Sequence, residues 1–331
     1  MAMAKVFAID TGFGSVKWAR RENKEVIKGS FLSIVIPFET AAENKIGTDL
    51  NKLNHIKTSK GVMLCGKNIH NYTMQSGDGK TLSEDYPMTV EYEALVKGAL
   101  LEGKVNNVET LVLGLPVSLL KYAPKLKEKF TGLMQIGNSS HKIDNVMVLP
   151  QPVGSYIQFE HTHSQLFKEI HEMSACVLFV DVGFGTTDWI TVAGENILPR
   201  RAGGMHIAVG EMLKFVAQRI RRDYGGDVIN DLEYIDEKIR NGRNMYHAAN
   251  VIQHNKLKEY LADFSFVSVV ESINQSIITT NDIKTIVLTG GGADYIEEAL
   301  DKQFPSIQRV KLENNVFANV LGFLYAGERN G

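Results

Sequence analysis

Apolar residues in this chain fall into short runs separated by polar and glycine-rich breaks. Residues 5–10 (K-V-F-A-I-D) and 176–181 (C-V-L-F-V-D) are runs of strand length, and an aspartate closes each. Further strand-like runs occupy 30–37, 61–66, 108–115, 142–149, 284–289 and 307–312. Helical spacing predicts a helix over 90–103, with Leu95, Ala99 and Leu100 facing inward, and a lysine-rich helix over 121–130. It predicts another over 205–223, where Ile207, Val209, Met212, Leu213, Val216 and Ile220 form one apolar stripe. Residues 234–240 read as a short helix stopped by Asn241-Gly242, residues 248–280 as mostly helical, and 315–327 as a closing helix. Residues 196–201 read as a strand edge. The class is α/β.

The residues just past each aspartate carry the chemistry. Asp10-Thr11-Gly12-Phe13-Gly14-Ser15 leads to Lys17, and Asp181-Val182-Gly183-Phe184-Gly185-Thr186-Thr187-Asp188 repeats the pattern in the other half of the chain. Asp10 aligns with Asp181, Gly12 with Gly183, Phe13 with Phe184, Gly14 with Gly185 and Ser15 with Thr186. Two glycines and hydroxyls just past a strand make a tight turn whose backbone N–H groups can nest a phosphate. A strand-end aspartate can hold a divalent cation through water. Lys17 can reach a phosphate oxygen as a point charge. One such turn is weak evidence, since most are plain hairpins. Two, this far apart, predict related domains whose hairpins face each other and clamp one polyphosphate with its metal.

Three further stretches join them. Pro150-Gln151-Pro152 fixes a glutamine at a strand end, where it can orient a water without acting as a base, or simply cap the next helix. Gly203-Gly204, ahead of the 205–223 helix, offers more N–H donors, and Glu211 in that helix faces either a ribose or solvent. Gly290-Gly291-Gly292-Ala293-Asp294 follows the 284–289 run and precedes a helix, and its three glycines let a flat ring approach the backbone. His161, His163 and His171 lack supporting cysteine or carboxylate spacing and read as polar surface.

Composition narrows the partners. The chain has 331 residues, room for two domains, and 44% are hydrophobic. Thirty-six Lys and Arg against 38 Asp and Glu leave a net charge of −2, so no basic field predicts strong direct nucleic-acid binding. Arg219, Arg221 and Arg222 read as a solvated helix face. Two lone cysteines, Cys65 and Cys176, predict neither disulfides nor a zinc site and suit a reducing cytoplasm. No apolar leader precedes Asp10 and no run of about 20 apolar residues occurs, so no membrane span is expected.

The constellation resembles the actin-like ATPase superfamily. Residues 10–17 look like its first phosphate motif, 150–156 its first connecting motif, and 181–188 its second phosphate motif. Leu288-Thr-Gly-Gly-Gly-Ala-Asp294 looks like the adenosine motif and Val316-Phe-Ala-Asn-Val-Leu-Gly322 like the second connecting helix. Within the superfamily the chain is most similar to bacterial plasmid-segregation actins of the ParM/StbA type, on Leu113-Gly-Leu-Pro-Val117, Ala202-Gly-Gly-Met205, Ile239-Arg-Asn-Gly242 and 317–323.

The resemblance implies an actin-like fold of two ribonuclease-H-like domains with a nucleotide cleft between them. Domain I is expected at 1–160, with a small variable subdomain near 38–90 that includes the loop signal Ser76-Gly-Asp-Gly79. Domain II is expected at 161–315, with a helical subdomain near 205–282, and 316–331 returns to domain I. It implies ATP or ADP with Mg²⁺, which Asp10 and Asp181 hold through water while Gln151 aligns the attacking water. It also implies a cytoplasmic, head-to-tail filament that carries plasmid DNA through a separate adaptor. The alternatives are a small-molecule kinase, for which Asp188 is the candidate base, and a non-motile actin-like scaffold.

Overall fold

The computed structural model describes residues 2–43, 50–69 and 85–330. Strands β1 (Ala2–Thr11), β2 (Ser15–Glu22) and β3 (Glu25–Leu32) form an antiparallel meander. The chain then leaves this sheet. β4 (Ile36–Pro37), the short helix α1 (Phe38–Glu43), β5 (Asn54–Thr58) and β6 (Gly61–Cys65) form a small unit whose sheet runs β4-β6-β5. Helix α2 (Val90–Glu102) returns to the main sheet. There β7 (Val105–Leu115) lies parallel to β1. Helix α3 (Ala123–Phe130) and strands β8 (Gly132–Ile136) and β9 (Ser139–Pro150) complete the order β3-β2-β1-β7-β9-β8. Helices α4 (Gln151–Thr162) and α5 (Ser164–Glu172) lead out.

The second half repeats that path. β10 (Cys176–Val182) is antiparallel to β11 (Thr187–Ala193), which pairs on its far side with β12 (Asn196–Ile197) and β13 (Gly203–Met205). Helices α6 (Val209–Tyr224) and α7 (Leu232–Arg240), the hairpin β14 (Met245–His247) with β15 (Asn250–Ile252), and helices α8 (His254–Ala262) and α9 (Val267–Ile277) come next. β16 (Ile283–Thr289) then lies parallel to β10, and after α10 (Ala293–Gln303) β17 (Gln308–Lys311) lies parallel to β16. The order β12-β11-β10-β16-β17 matches β3-β2-β1-β7-β9, strand for strand. The twin sequence motifs are thus the first hairpins of two topologically equivalent sheets.

β10 is buried along its whole length because helices cover both faces of its sheet. Leu178, Val180 and Val182 pack with Leu213 and Val216 of α6, while Val177 and Phe179, on the opposite pleat, pack with Tyr156 and Phe159 of α4. Helix α11 (Ala318–Asn330) lies against the first sheet, where Val320, Leu321, Phe323 and Leu324 cluster with Val6, Ala8 and Val112. It crosses α4 at glycine. A Cβ added to Gly322 would overlap the Gly154 carbonyl oxygen, and one added to Gly154 would overlap the Asn319 carbonyl. Only glycine at both positions permits that approach.

Several boundaries depart from the sequence reading. The run 30–37 splits: β3 ends at Leu32, and Ile36–Pro37 joins the small sheet. The expected 196–201 strand stops at Ile197, and Pro199 opens a 3-10 turn. Helix α6 starts at Val209 rather than 205, because Gly203–Met205 pairs with β11. β5 and β8 carry little periodic signal, since only Ile56 of one and Ile136 of the other are buried. The loop signal at 76–79 lies outside the described residues.

Candidate functional site

The two glycine hairpins meet. A Cβ on Gly14 of the first would come within 2.7 Å of the Phe184 Cβ of the second. Beside the junction opens a cleft of about 320 Å³, a volume suited to a small organic ligand. From the first hairpin it is lined by Asp10, Gly12, Phe13, Gly14, Ser15 and Lys17, and from the second by Asp181, Gly183, Phe184, Gly185 and Thr186. Gln151, Gly290 and Gly291 line it too. The structure therefore brings most of the sequence-derived candidates to one place, although they come from four distant stretches.

The polar floor is tightly bonded. Gln151, at the first position of α4, donates from Nε2 to Asp10 Oδ1 at 2.8 Å, and Lys17 Nζ lies 3.7 Å from Asp10 Oδ2. Asn319 at the start of α11 donates from Nδ2 to Asp181 Oδ2 at 2.6 Å. Ser155 of α4 donates to Asn319 Oδ1 at 2.6 Å and lies 2.9 Å from Thr289 Oγ1, at the end of β16. Each hairpin aspartate is thus held by an amide from one of the two crossing helices. Burial pushes the Asp181 carboxyl up to about 7, against the Asn319 hydrogen bond that lowers it.

Other candidates stand behind the cleft wall. Thr11 is buried under the first hairpin. Thr187 donates from Oγ1 to the Ile207 carbonyl at 2.7 Å, which ties the second hairpin to the approach of α6. Asp188 Oδ1 accepts from the Val117 N–H at 3.1 Å, and burial pushes its carboxyl up to about 6. Gly292 packs on Val182 and Val209, where a Cβ would come within 2.6 Å of both. Asp294 pairs with Lys311 on the surface.

Gly203 and Gly204 correct the sequence reading. They sit in β13, not at a helix N-terminus, and are absent from the cleft lining. Their lack of a side chain admits Trp189 and the Asp188 carboxylate, to within 2.6 and 2.5 Å of where Cβ atoms would stand. Glu211 pairs with Lys214 at 2.6 Å on an exposed face.

Sequence reasoning missed the far wall. Glu233, Asp236 and Arg240 of α7 line the cleft. Arg240 Nε lies 2.8 Å from both Asp236 oxygens, its Nη2 donates to the Gly291 carbonyl at 2.9 Å, and its guanidinium sits 5.5 Å from the Tyr295 ring centroid. These charges fall at three- and four-residue spacing on an amphipathic helix, a pattern that solvated faces share. Asn319 was legible only as part of the expected connecting helix, not as a site residue.

Two family models match the chain: the N-terminal domain of actin-like proteins over residues 8–154, and the C-terminal domain of the MreB-like archaeal actin homologue over 179–302. No curated protein sequence matches. Among solved structures, the archaeal actin homologue Ta0583 superposes with a TM-score of 0.75 at 19% identity, covering 99% of this chain and 100% of that one. The same homologue in complex with ADP superposes with a TM-score of 0.71 at 18% identity, again covering 99% and 100%. A 15-stranded ParM filament from Clostridium botulinum gives 0.71 at 18% identity, with 99% and 100% covered. No helix among the described residues is long and apolar enough to cross a membrane. Two sheets of one topology, twin hairpins at a shared cleft and actin-like models on both halves agree, and the chain belongs to the actin-like superfamily.

Proposed function

We propose that this chain is an ATP-hydrolysing filament protein that assembles head to tail and moves DNA cargo through a separate adaptor. The observation that carries the reading is the abutment of two equivalent glycine hairpins with Asp10, Asp181 and Gln151 on one cleft. Backbone N–H groups of 12–15 and 183–186 then cradle the phosphates, Lys17 supplies a point charge, and Gly290 with Gly291 flanks the purine. Glu233 and Asp236 offer carboxylates to ribose hydroxyls, with Arg240 held beside them. Two acidic side chains from opposite hairpins suit Mg²⁺, which binds through one or two carboxylates, water and substrate phosphates. When bound, that ion would neutralise charge on the phosphates. Residues 1–160 and 161–315 act as the two domains in this reading, with α11 bridging back.

Gln151 is the water-orienting residue. Its Nε2 is committed to Asp10, which leaves the amide oxygen to accept from a water. A carboxylate base is not offered at this position. Asp188, the alternative for a kinase, has its carboxylate bonded to the Val117 N–H and does not line the cleft. Gln151→Ala should therefore keep ATP binding and assembly while slowing phosphate release about 100-fold. Filaments of that variant should persist longer after ATP addition. Failure of the variant to bind ATP would make Gln151 a structural residue only.

ATP-dependent light scattering, run with phosphate release and with sugars as trial acceptors, tests the reading as a whole. Scattering that rises with ATP and decays with hydrolysis is expected. Phosphate transfer to a sugar, without any scattering change, would overturn it. The charge balance predicts that the purified chain does not bind DNA tightly at physiological salt without an adaptor.

A further inference from the structure

We infer that Ser33 is a positioning residue that aims the first phosphate hairpin. Ser33 lies directly after β3 and is buried, yet it does not line the cleft. Its Oγ donates to the Gly12 carbonyl at 2.5 Å and its N–H to the Gly14 carbonyl at 3.1 Å. One residue thus holds two carbonyls of the glycine turn from behind. In a trans peptide the C=O of one residue and the N–H of the next point in opposite directions. Pinning the Gly12 and Gly14 carbonyls therefore turns the Phe13 and Ser15 N–H groups the other way, towards the cleft that both residues line. Glycine peptides would otherwise flip freely, with carbonyl dipoles repelling an anion as readily as N–H groups attract one.

The clamp also reaches the small sheet. Three residues past Ser33 the chain enters β4, which pairs with β6. On the returning segment Tyr86 packs on Phe13 of the same hairpin, with ring centroids 4.7 Å apart, and Thr89 caps α2 while donating to the Tyr86 carbonyl at 2.8 Å. Both described segments that join the small sheet to the main sheet hold the hairpin. A shift of the small sheet therefore disturbs the aim of two phosphate donors, and a bound polyphosphate resists that shift to the same extent.

The inference rests on the nucleotide reading of the cleft, and its test separates the two. Calorimetric titration of the full chain with Mg²⁺–ATP and with adenosine is compared for wild type, Ser33→Ala and Ser33→Thr. Ser33→Ala should weaken ATP about tenfold, one charge-assisted donor's worth, while adenosine affinity changes less than about twofold. Ser33→Thr, which keeps the hydroxyl, should restore ATP affinity. Unchanged ATP affinity in Ser33→Ala, an equal loss for ATP and adenosine, or a loss that Thr does not rescue would each overturn the clamp. If Ser33→Ala does not fold, Ser33→Cys fills the same space with a weak donor and is read by the same criteria. A wild type that binds neither ligand overturns the nucleotide reading itself, and the clamp with it.

Discussion

Asp181→Asn should fold, bind adenosine and lose ATP turnover by about 100-fold or more. Asp181 is nearly isosteric with Asn, and the Asn319 amide can donate to the new carboxamide oxygen in place of the carboxylate Oδ2. What disappears is a negative charge at the point where two hairpins and two crossing helices meet. The same variant carries a pH signature. Burial favours the protonated Asp181 carboxyl in the folded chain, at about 7 against a free value near 3.9. Its stabilising share is complete below about pH 4 and is lost as pH rises through about 7, because the unfolded chain releases that proton first. The asparagine variant has no such proton. Melting curves of the ligand-free proteins should therefore show Asp181→Asn gaining on wild type between about pH 4 and 7. A constant gap across that range would mean that Asp181 does not titrate there. Turnover within a few-fold of wild type would remove its charge from the reaction.

Gly322→Ala should be the most damaging glycine-to-alanine change among the described residues. The added carbon overlaps the Gly154 carbonyl, so the backbones of α4 and α11 must separate. Overpacking of this kind costs about 1–3 kcal/mol, equivalent to a fall in Tm of roughly 1–4 °C for a chain of this size. The effect should not stop at stability. Asn319 lies one turn earlier on α11 and Gln151 one turn earlier on α4, so the separation moves both amides off their aspartates. Gly322→Ala should lose turnover by more than its melting temperature alone accounts for, as measured by phosphate release well below Tm. Normal turnover together with a normal Tm would show that the crossing relaxes without cost.

How much of this was legible depended on what kind of signal each residue left. β1 and β10 announced themselves because burial on both faces demands continuous apolar runs. The twin hairpins were legible because repetition is rare by chance, and their meeting was a consequence of it. β5 and β8 were not, since an edge strand with one buried residue has no period to detect. Gly203 and Gly204 misled for a definite reason: glycines that admit a neighbouring Trp189 ring and the Asp188 carboxylate look, in sequence, the same as glycines that admit a phosphate. Glu233, Asp236 and Arg240 were not legible as site residues, because a cleft wall built from a helix looks like any charged helix face until its neighbours are known. Ser33 left no motif at all. Its role lies in two carbonyls that only the folded turn presents.

The embrace of β1 by α11 sets an order on folding. Val6, Ala8 and Val112 find their cover in Val320, Phe323 and Leu324, so the apolar outer face of β1 stays bare until residues more than 300 positions away arrive. Contacts of such span are slow to form and leave sticky surface exposed meanwhile. During synthesis the first sheet can be hydrogen-bonded long before it is finished, and the amide that holds Asp181 comes with the same late helix. A nascent chain therefore lacks both a closed core and a complete site until α11 docks, which keeps unfinished chains out of any assembly that depends on that site.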